Sequence, residues 1–316
     1  MTVSDGGGVT VDLLTAGETM IALRSTGLLR LGGSATISTA GAEGNVAIAA
    51  SRLGHRVAWA GRVGDDESGN LVLRTFAAEG VDVSAVVRDP ERETGLLLFE
   101  QRLPDLTRVE YHRRDSAGSR WSPEDVPAAL ALQPRIVHLT GITPALSPSA
   151  AEASHALLEG ARRQGAMVSV DVNYRSRLWT AEEAAPVLAS LVRLADLVIA
   201  SPDELSLVAD GPAALLRQGV REVIVKDGAH GARAYTEEGE MQVPARPVQA
   251  VDSIGAGDAF SGGYLSGVLD GADLATRMDR AAALGAFAVA SRGDWEGLPF
   301  RSELPLLRAA EGGALR

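Results

Sequence analysis

The 316-residue chain contains no cysteine, no basic run and no apolar segment approaching the roughly 18 residues of a membrane-spanning helix. Without cysteine there can be no disulfide framework, no thiolate nucleophile and no Cys-ligated metal site. The formal net charge of −11 argues against nucleic acid or an anionic membrane as a partner, so any anion must be bound locally. The N-terminus lacks the basic and apolar regions of a secretory signal, and we expect a cytoplasmic protein.

Two common nucleotide-binding motifs are also absent. GxxxxGK[ST] does not occur, which excludes a P-loop enzyme. No strand is followed by a complete GxGxxG, which argues against a dinucleotide fold and a nicotinamide oxidoreductase. His55, His138, His155 and His230 show no metal-ligand spacing, so we expect them to be packing or surface residues.

The chain does contain alternating strand and helix patterns. Near-continuous apolar runs predict strands covered on both faces at 57–64, 135–142, 166–173, 194–200 and 221–228. Alanine-rich stretches predict helices at 44–54, 149–165 and 211–219. This alternation predicts right-handed crossovers and a parallel α/β sheet.

Two segments break the alternation. Residues 13–43 and 94–114 have strand and turn patterns without intervening helices, which predicts a small antiparallel sheet beside the main one. We expect this sheet to act as a lid. No long linker or repeat divides the chain, so residues 1–316 are predicted to form one domain.

The stretch VDSIGAGDAFSGGYLSG (251–267) places Gly255, Ala256 and Gly257 before an acid, Asp258, at the start of an apolar helix. Glycines let backbone N–H groups crowd around an anion, and the helix start adds its positive dipole end. A carboxylate beside a bound phosphate could accept the proton of an attacking hydroxyl, which makes Asp258 a candidate general base. The alternative is a tight strand-to-helix turn in which Asp258 is only the N-cap.

This stretch resembles the C-terminal signature D-T-x-G-A-G-D-x-F of the PfkB (ribokinase-like) sugar kinases, with Ser253 in place of the usual threonine. Residues 41–70, GAEGNVAIAASRLGHRVAWAGRVGDDESGN, resemble the N-terminal signature of the same family. The resemblance implies a three-layer sandwich with a mostly parallel central sheet and a β-sheet lid. It also implies that Asp258 deprotonates the sugar hydroxyl while the amides of Gly255 to Asp258 stabilise the transferred phosphoryl group.

Residues 109–119, 170–179 and 290–297 resemble the 2-keto-3-deoxygluconate kinase branch of that family. Its substrate is a sugar acid, and arginine suits a carboxylate because its planar fork can donate two charge-assisted hydrogen bonds. Two residues depart from this branch, because His112 and Leu97 stand where tyrosines are common. The resemblance implies substrate contacts at Gly41, Asn45, Tyr111, Arg113, Arg175 and Asp294.

Several of these residues also have plain structural interpretations. Arg113 could be a solvated lid charge and Tyr111 a packed strand aromatic, although their i, i+2 spacing places both on one face of a strand. Asp171 and Asn173 end a predicted buried strand at the edge where open α/β sheets bind ligands, but Asp171 could equally cap the next turn.

Two further segments resemble parts of the family that bind ATP and Mg²⁺. VKDGAHGA (225–232) resembles the turn that lines the ATP site in the family, which implies nucleotide contacts at Lys226, Gly228 and Gly231 together with Gly255 and Gly257. Lys226 is the only lysine of the chain and could also be an ordinary strand-end lysine. SPDELSLV (201–208) resembles the N-x-x-E element associated with Mg²⁺, with Glu204 retained and Ser201 replacing the asparagine.

The expected function is therefore an ATP-dependent sugar-acid kinase that phosphorylates the terminal primary hydroxyl of 2-keto-3-deoxygluconate, a 2-dehydro-3-deoxygluconokinase. The expected cofactors are ATP and Mg²⁺, with a monovalent cation as a further candidate, and the expected assembly is a homo-oligomer formed through the lid. Two alternatives stay open: a kinase for a neutral sugar such as fructose or ribose, and a catalytically silent sugar-acid-binding regulator of the same fold. The intact GAGD weighs against the silent regulator, and the two arginines weigh against neutral sugars.

Overall fold

The computed structural model describes residues 10–103 and 106–309, so parts of the predicted 1–316 domain lie outside the described residues. A ten-stranded sheet runs through its centre. Its strands are β1 (Leu13–Ala16), β4 (Val57–Gly64), β5 (Val81–Asp82), β6 (Val86–Asp89), β9 (Ile136–Thr140), β10 (Met167–Asp171), β11 (Leu197–Ala200), β12 (Glu222–Lys226), β13 (Ala232–Thr236) and β14 (Gly239–Val243).

The order across this sheet is β14-β13-β12-β11-β10-β9-β1-β4-β5, with β6 paired to the far end of β4. All neighbouring pairs from β12 to β5 are parallel, and only the β12-β13 and β13-β14 pairs are antiparallel. Each of the five predicted apolar strands is present, and β4 has the predicted bounds. The mostly parallel sheet is therefore confirmed.

Helices cover both faces of the sheet. They are α1 (Ala42–Arg52), α2 (Glu67–Ala78), α3 (Val126–Leu130), α4 (Pro148–Arg163), α5 (Ala181–Val192), α6 (Pro202–Val208), α7 (Pro212–Arg217), α8 (Ala256–Leu269), α9 (Leu274–Val289) and α10 (Leu306–Ala309). Helices α3 to α7 share one apolar core with one face of the sheet, while α1, α2, α8 and α9 share a second core with the opposite face. These layers form the expected three-layer sandwich. None of the described helices combines the length and hydropathy that a membrane crossing requires.

Four strands form a separate sheet, which we call the lid: β2 (Met20–Ser25), β3 (Ala35–Ala40), β7 (Leu96–Leu103) and β8 (Leu106–His112), in the order β3-β2-β7-β8. Two predictions about it were wrong. Leu13–Ala16 belongs to the main sheet as β1, where all four residues are buried, so the lid does not begin at residue 13. The lid is also mixed, because its central strands β2 and β7 are parallel. Between them the chain forms β3, α1, β4, α2, β5 and β6, and it then returns to the lid in the direction of β2.

The carboxyl ends of the parallel strands face the lid. Strand β1 ends one residue before Gly17, β10 ends at Asp171 and β12 ends at Lys226. Because an open α/β sheet presents its strand ends at one edge, polar residues distant in the chain collect there. The same edge receives the N-terminus of α8.

Candidate active site

A cavity of about 1340 Å³ lies between the lid and the carboxyl edge of the main sheet. The lid contributes apolar side chains such as Leu97 and Phe99 and the half-exposed ring of Tyr111. Eleven of the predicted site residues line it: Gly41, Asn45, Tyr111, Arg113, Arg175, Glu204, Lys226, Gly255, Gly257, Asp258 and Asp294. Residues predicted from separate motifs therefore meet at one site.

The turn before α8 has the geometry of an anion cradle. Gly255 is the N-cap and has φ +76°, a left-handed conformation that favours glycine, and a Cβ there would collide with the carbonyl oxygen of Asp294. The amides of Ala256 to Asp258 belong to the first helical turn, where N–H groups have no carbonyl of their own helix to bind. The N-cap interpretation of Asp258 is wrong, because Asp258 is the third helical residue and makes no capping bond.

The carboxylate of Asp258 is buried at the mouth of this turn. Its Oδ2 accepts a hydrogen bond of 2.8 Å from Nδ2 of Asn45, which α1 supplies. Burial raises the pKa of Asp258, while the bond from Asn45 and the charge of Lys226 act in the opposite direction. A raised pKa makes the carboxylate a stronger proton acceptor, and the Asn45 bond holds it in one orientation.

The two predicted substrate arginines have different surroundings. Arg113 donates from Nε to Oε2 of Glu18 at 2.7 Å, and the Glu18 carboxylate also accepts from Ser116 Oγ. Both members of the Arg113–Glu18 pair are nearly buried, so the solvated-charge interpretation of Arg113 is wrong. The side chain of Arg175 is exposed, lines the cavity and makes no hydrogen bond or ion pair with the residues that the structure describes.

Asp294 is also paired with an arginine. Its carboxylate binds Arg24 of β2, whose guanidinium lies 3.6 Å from Asp252 and stacks 3.9 Å from the ring centre of Phe99. Burial raises the pKa of Asp294 to about 7, against the lowering effect of Arg24. Asp294 is thus a cavity residue, but its charge already has a partner in the lid.

On the nucleotide side, Lys226 and Glu204 line the cavity, whereas Gly228 and Gly231 do not. The two glycines form the β12-β13 turn, next to a smaller cavity of about 350 Å³ lined by Asp227 and His230. Gly231 has φ +93° and approaches the backbone of β14, which accounts for glycine there without a ligand.

One carboxylate oxygen of Glu204 has a structural contact, and the other has no hydrogen-bond partner among the residues that the structure describes. Its Oε2 accepts the N–H of Ser201 at 2.7 Å in a capping box that starts α6, so Ser201 acts as a helix cap. Within residues 10–103 and 106–309, no group of three or more histidine, aspartate or glutamate side chains could hold a metal alone. One carboxylate oxygen at the cavity fits Mg²⁺ held mainly through phosphates and water.

Sequence reasoning missed Glu18 and Arg24, the partners of Arg113 and Asp294. It also missed three cavity-lining residues: Arg108, Glu110 and Arg177. Glu18 follows β1 at the same edge as Asp171, so the rule that polar residues at strand ends line a site could have found it. Arg24 lies inside a lid strand, and no motif pointed to it.

The sequence profile of the pfkB family carbohydrate kinases matches residues 12–301. The chain belongs to this family. The 2-dehydro-3-deoxygluconokinase of Bacillus subtilis (strain 168) is 35% identical, with 95% of this chain and 96% of the relative aligned. The enzyme of the same name from Thermoproteus tenax is 36% identical over 92% of this chain and 91% of the relative.

The fold comparison agrees with this assignment. The crystal structure of fructokinase with bound ATP from Xylella fastidiosa superposes with a TM-score of 0.83 at 28% identity, covering 95% of this chain and 98% of that one. The predictions of a PfkB-type carbohydrate kinase and of a ribokinase-like fold are confirmed. The chain is a phosphotransferase of this family, and the names of the two relatives agree with the predicted sugar-acid activity.

Proposed function

We propose that the protein transfers the γ-phosphoryl group of ATP to the terminal primary hydroxyl of 2-keto-3-deoxygluconate. The observation that carries the proposal is the placement of an unpaired guanidinium, Arg175, in the same cavity as the buried base Asp258. A substrate with a carboxylate at one end and a hydroxyl at the other can use both groups. The names of the two relatives support the same substrate.

The reaction follows from the geometry around Asp258. The hydroxyl oxygen attacks the γ-phosphorus in line, its proton passes to the Asp258 carboxylate, and the bond from phosphorus to the bridging oxygen breaks. ADP leaves with that electron pair. The amides of the turn 255–258 stabilise the charge on the transferred group, and Asn45 keeps the base oriented.

Mg²⁺ would neutralise charge on the phosphates when bound. Glu204, with one carboxylate oxygen engaged by Ser201, is the residue that would hold its water shell. A monovalent cation remains part of the proposal; comparing rates in potassium and in sodium buffers tests it.

The charges at the substrate end favour a sugar acid over a neutral sugar. The guanidinium of Arg113 is matched by Glu18, so it suits a hydroxyl or keto oxygen. Three other cavity arginines, Arg114, Arg175 and Arg177, have no ion-pair partner among the described residues, and Arg177 donates to the Val109 carbonyl oxygen. Burial raises the pKa of Asp258, and the charge of Arg175 is among the influences that lower it, which supports a role for Arg175 near the substrate that the base serves.

Arg175→Met tests this assignment. With 2-keto-3-deoxygluconate, we expect kcat/KM to fall about 10- to 150-fold, equivalent to the ~1.5 to 3 kcal/mol of a hydrogen bond to a charged group. Rates with fructose and ribose should hardly change. Arg114→Met is the matched control and should have little effect on any acceptor.

The salt dependence sharpens this test. A loss that persists at high salt indicates that the closed lid shields the pair, because an exposed ion pair is screened and contributes only ~0 to 1 kcal/mol. If wild type prefers fructose or ribose, or if Arg175→Met slows all acceptors equally, the sugar-acid assignment is wrong.

The proposal includes assembly through the lid and, since the donor is ATP, a cytoplasmic location. Leu31, Ile37, Leu103 and Leu106 of the lid region are each more than half exposed, which is unusual for large apolar side chains unless another surface covers them. Sedimentation of wild type and of Ile37→Glu tests this assembly, because a monomer in both would contradict it.

A further inference from the structure

The only lysine of the chain forms a buried ion pair at the centre of the site. Nζ of Lys226, at the end of β12, lies 2.6 Å from Oδ2 of Asp171, at the end of β10. Strand β11 separates the two, so the side chains meet across an intervening strand. The carboxylate is 1% exposed and the ammonium-bearing side chain 17% exposed.

The ammonium group lies directly over the anion cradle. A Cβ added to Gly257 would come within 3.3 Å of Nζ, so Lys226 touches the first turn of α8 from above. The same turn is tied to the carboxylate, because Ser261 Oγ lies 3.0 Å from both Asp171 Oδ2 and the Gly257 carbonyl oxygen. Strand end, lysine and cradle therefore form one connected unit.

Asp171 stands behind the lysine. Lys226 lines the cavity but Asp171 does not, so a bound phosphate can contact the ammonium group but not the carboxylate. The alternative that Asp171 caps the following turn is wrong, since its bonds go to Lys226 and Ser261. Its Oδ1 has no hydrogen-bond partner in the part of the chain that the structure describes.

Lys226 is also the group that balances the charge of Asp171. The buried imidazole of His138 is close to the carboxylate, but burial lowers the pKa of His138 to about 4, which leaves it neutral at pH 7. A buried charge pair is not by itself stabilising, because both groups lose their hydration. The position of this pair at the cavity therefore suggests a role in the reaction rather than in stability.

We propose that Asp171 is a positioning residue that holds the ammonium of Lys226 over the cradle, where the transferred phosphoryl group meets a fixed positive charge. This proposal rests on the proposed phosphoryl transfer. A lysine side chain has four rotatable bonds, and without an anchor its ammonium would move, including toward Asp258, whose pKa it already lowers. A preorganised charge stabilises the transition state without reorganising during the reaction.

A double-mutant cycle tests the proposal with Asp171→Asn, Lys226→Met and the combined variant. We expect kcat/KM for ATP to fall about 10²-fold in Lys226→Met, as for loss of one preorganised donor, and roughly tenfold in Asp171→Asn, where the donor remains but is no longer fixed. In the Lys226→Met background, Asp171→Asn should change the rate less than about twofold, because a residue that acts through the lysine has nothing left to position. Additive losses would overturn the proposal, as would an unchanged rate in Asp171→Asn.

The KM of the sugar acceptor should stay within about twofold in Asp171→Asn, since the lysine serves the phosphate side. A parallel rise in the acceptor KM would mean a general distortion of the site and contradict positioning. Glu222→Gln is the matched control, because Glu222 begins the same strand and pairs with Arg277 at 2.7 Å, away from the cavity. It should lower thermal stability and leave kcat/KM for ATP unchanged.

Two further measurements keep the proposal testable. If Asp171→Asn does not fold, Asp171→Glu retains the charge while displacing the ammonium, and a loss of kcat/KM for ATP at wild-type thermal stability is expected. If wild type phosphorylates none of the acceptors, the proposed function fails. In that case, we measure the Kd of a non-hydrolysable ATP analogue for wild type, both single variants and the combined variant. Non-additive changes in Kd support the proposal, and additive changes overturn it.

Discussion

The two sides of the cavity are constructed differently. On the main-sheet side, polar and charged groups lie at strand ends or in the first turns of α1 and α8 and are bonded to each other, as in Asn45–Asp258 and Lys226–Asp171. On the lid side, half-buried strands are joined to the main domain by arginines. One of these is Arg177, which donates to the Val109 carbonyl at 2.9 Å.

Two other arginines join the lid in the same way: Arg24 binds Asp294, and Arg113 binds Glu18. Strand ends and a helix start place groups rigidly, whereas long arginine side chains can release and re-form contacts when the lid moves. From this difference we propose that the main-sheet side performs the reaction and that the lid side selects and encloses the acceptor.

The largest expected effect is on the main-sheet side. Asp258→Asn keeps the shape and the contact with Asn45 but removes the proton acceptor, so kcat should fall about 10²- to 10⁴-fold while the acceptor still binds. Asp203→Asn, an exposed acid in the first turn of α6, is the control and should retain full activity. Near-normal turnover in Asp258→Asn would remove the base assignment and with it the proposed division of the cavity.

A smaller effect is expected on the lid side. Glu18→Gln removes the charge that holds Arg113, so the KM of the sugar acceptor should rise about 10- to 100-fold, with a smaller change in kcat. Acceptor titrations at saturating ATP measure this. If kcat falls as strongly as in Asp258→Asn, the lid side takes part in the reaction itself, which contradicts the proposal that it only selects and encloses the acceptor.

The main-sheet side was also the more predictable one. The positions of Asp258 and Lys226 follow from a helix start and a strand end, which are local features that a sequence displays directly. The lid strands were recognised, but the parallel pairing of β2 with β7 joins segments about 75 residues apart, and periodicity does not say which strand will be the neighbour.

The arginine partners illustrate the same limit. Arg113 was recognised from its motif, yet its pairing with Glu18 joins residues 95 positions apart and depends on how the lid meets the main sheet. Such contacts arise from tertiary packing and have no local signal. The residues that we propose for the reaction therefore have local sequence signals, whereas the contacts Arg113–Glu18 and Arg24–Asp294 have none.

The smallest effect concerns a buried acid of the main-sheet side that does not line the cavity. Glu43 of α1 is fully buried, and its Oε1 accepts from Thr140 Oγ1 at 2.6 Å and from Thr143 Oγ1 at 2.7 Å. Its Oε2 has no hydrogen-bond partner among the described residues. Burial raises the pKa of Glu43 from 4.5 to about 7, against the lowering effect of the two threonines.

This shift makes folding stability depend on pH. Between pH 4.5 and about 7 the unfolded chain loses the Glu43 proton while the folded chain keeps it, so this group makes the free energy of unfolding fall as the pH rises and has no further effect above the folded pKa. Glu43→Gln keeps an oxygen for both threonines and cannot ionise. Relative to wild type, the free energy of unfolding of the variant should therefore rise by about 1 kcal/mol between pH 6 and pH 7 and by little more up to pH 8.

Urea unfolding of both proteins at pH 5, 6, 7 and 8 measures this difference in the free energy of unfolding. Asp294 contributes equally in both proteins, so its effect cancels in the difference. A difference that is constant with pH would mean that Glu43 is ionised in the folded protein, and the main-sheet side would then hold a second buried negative charge near Asp258.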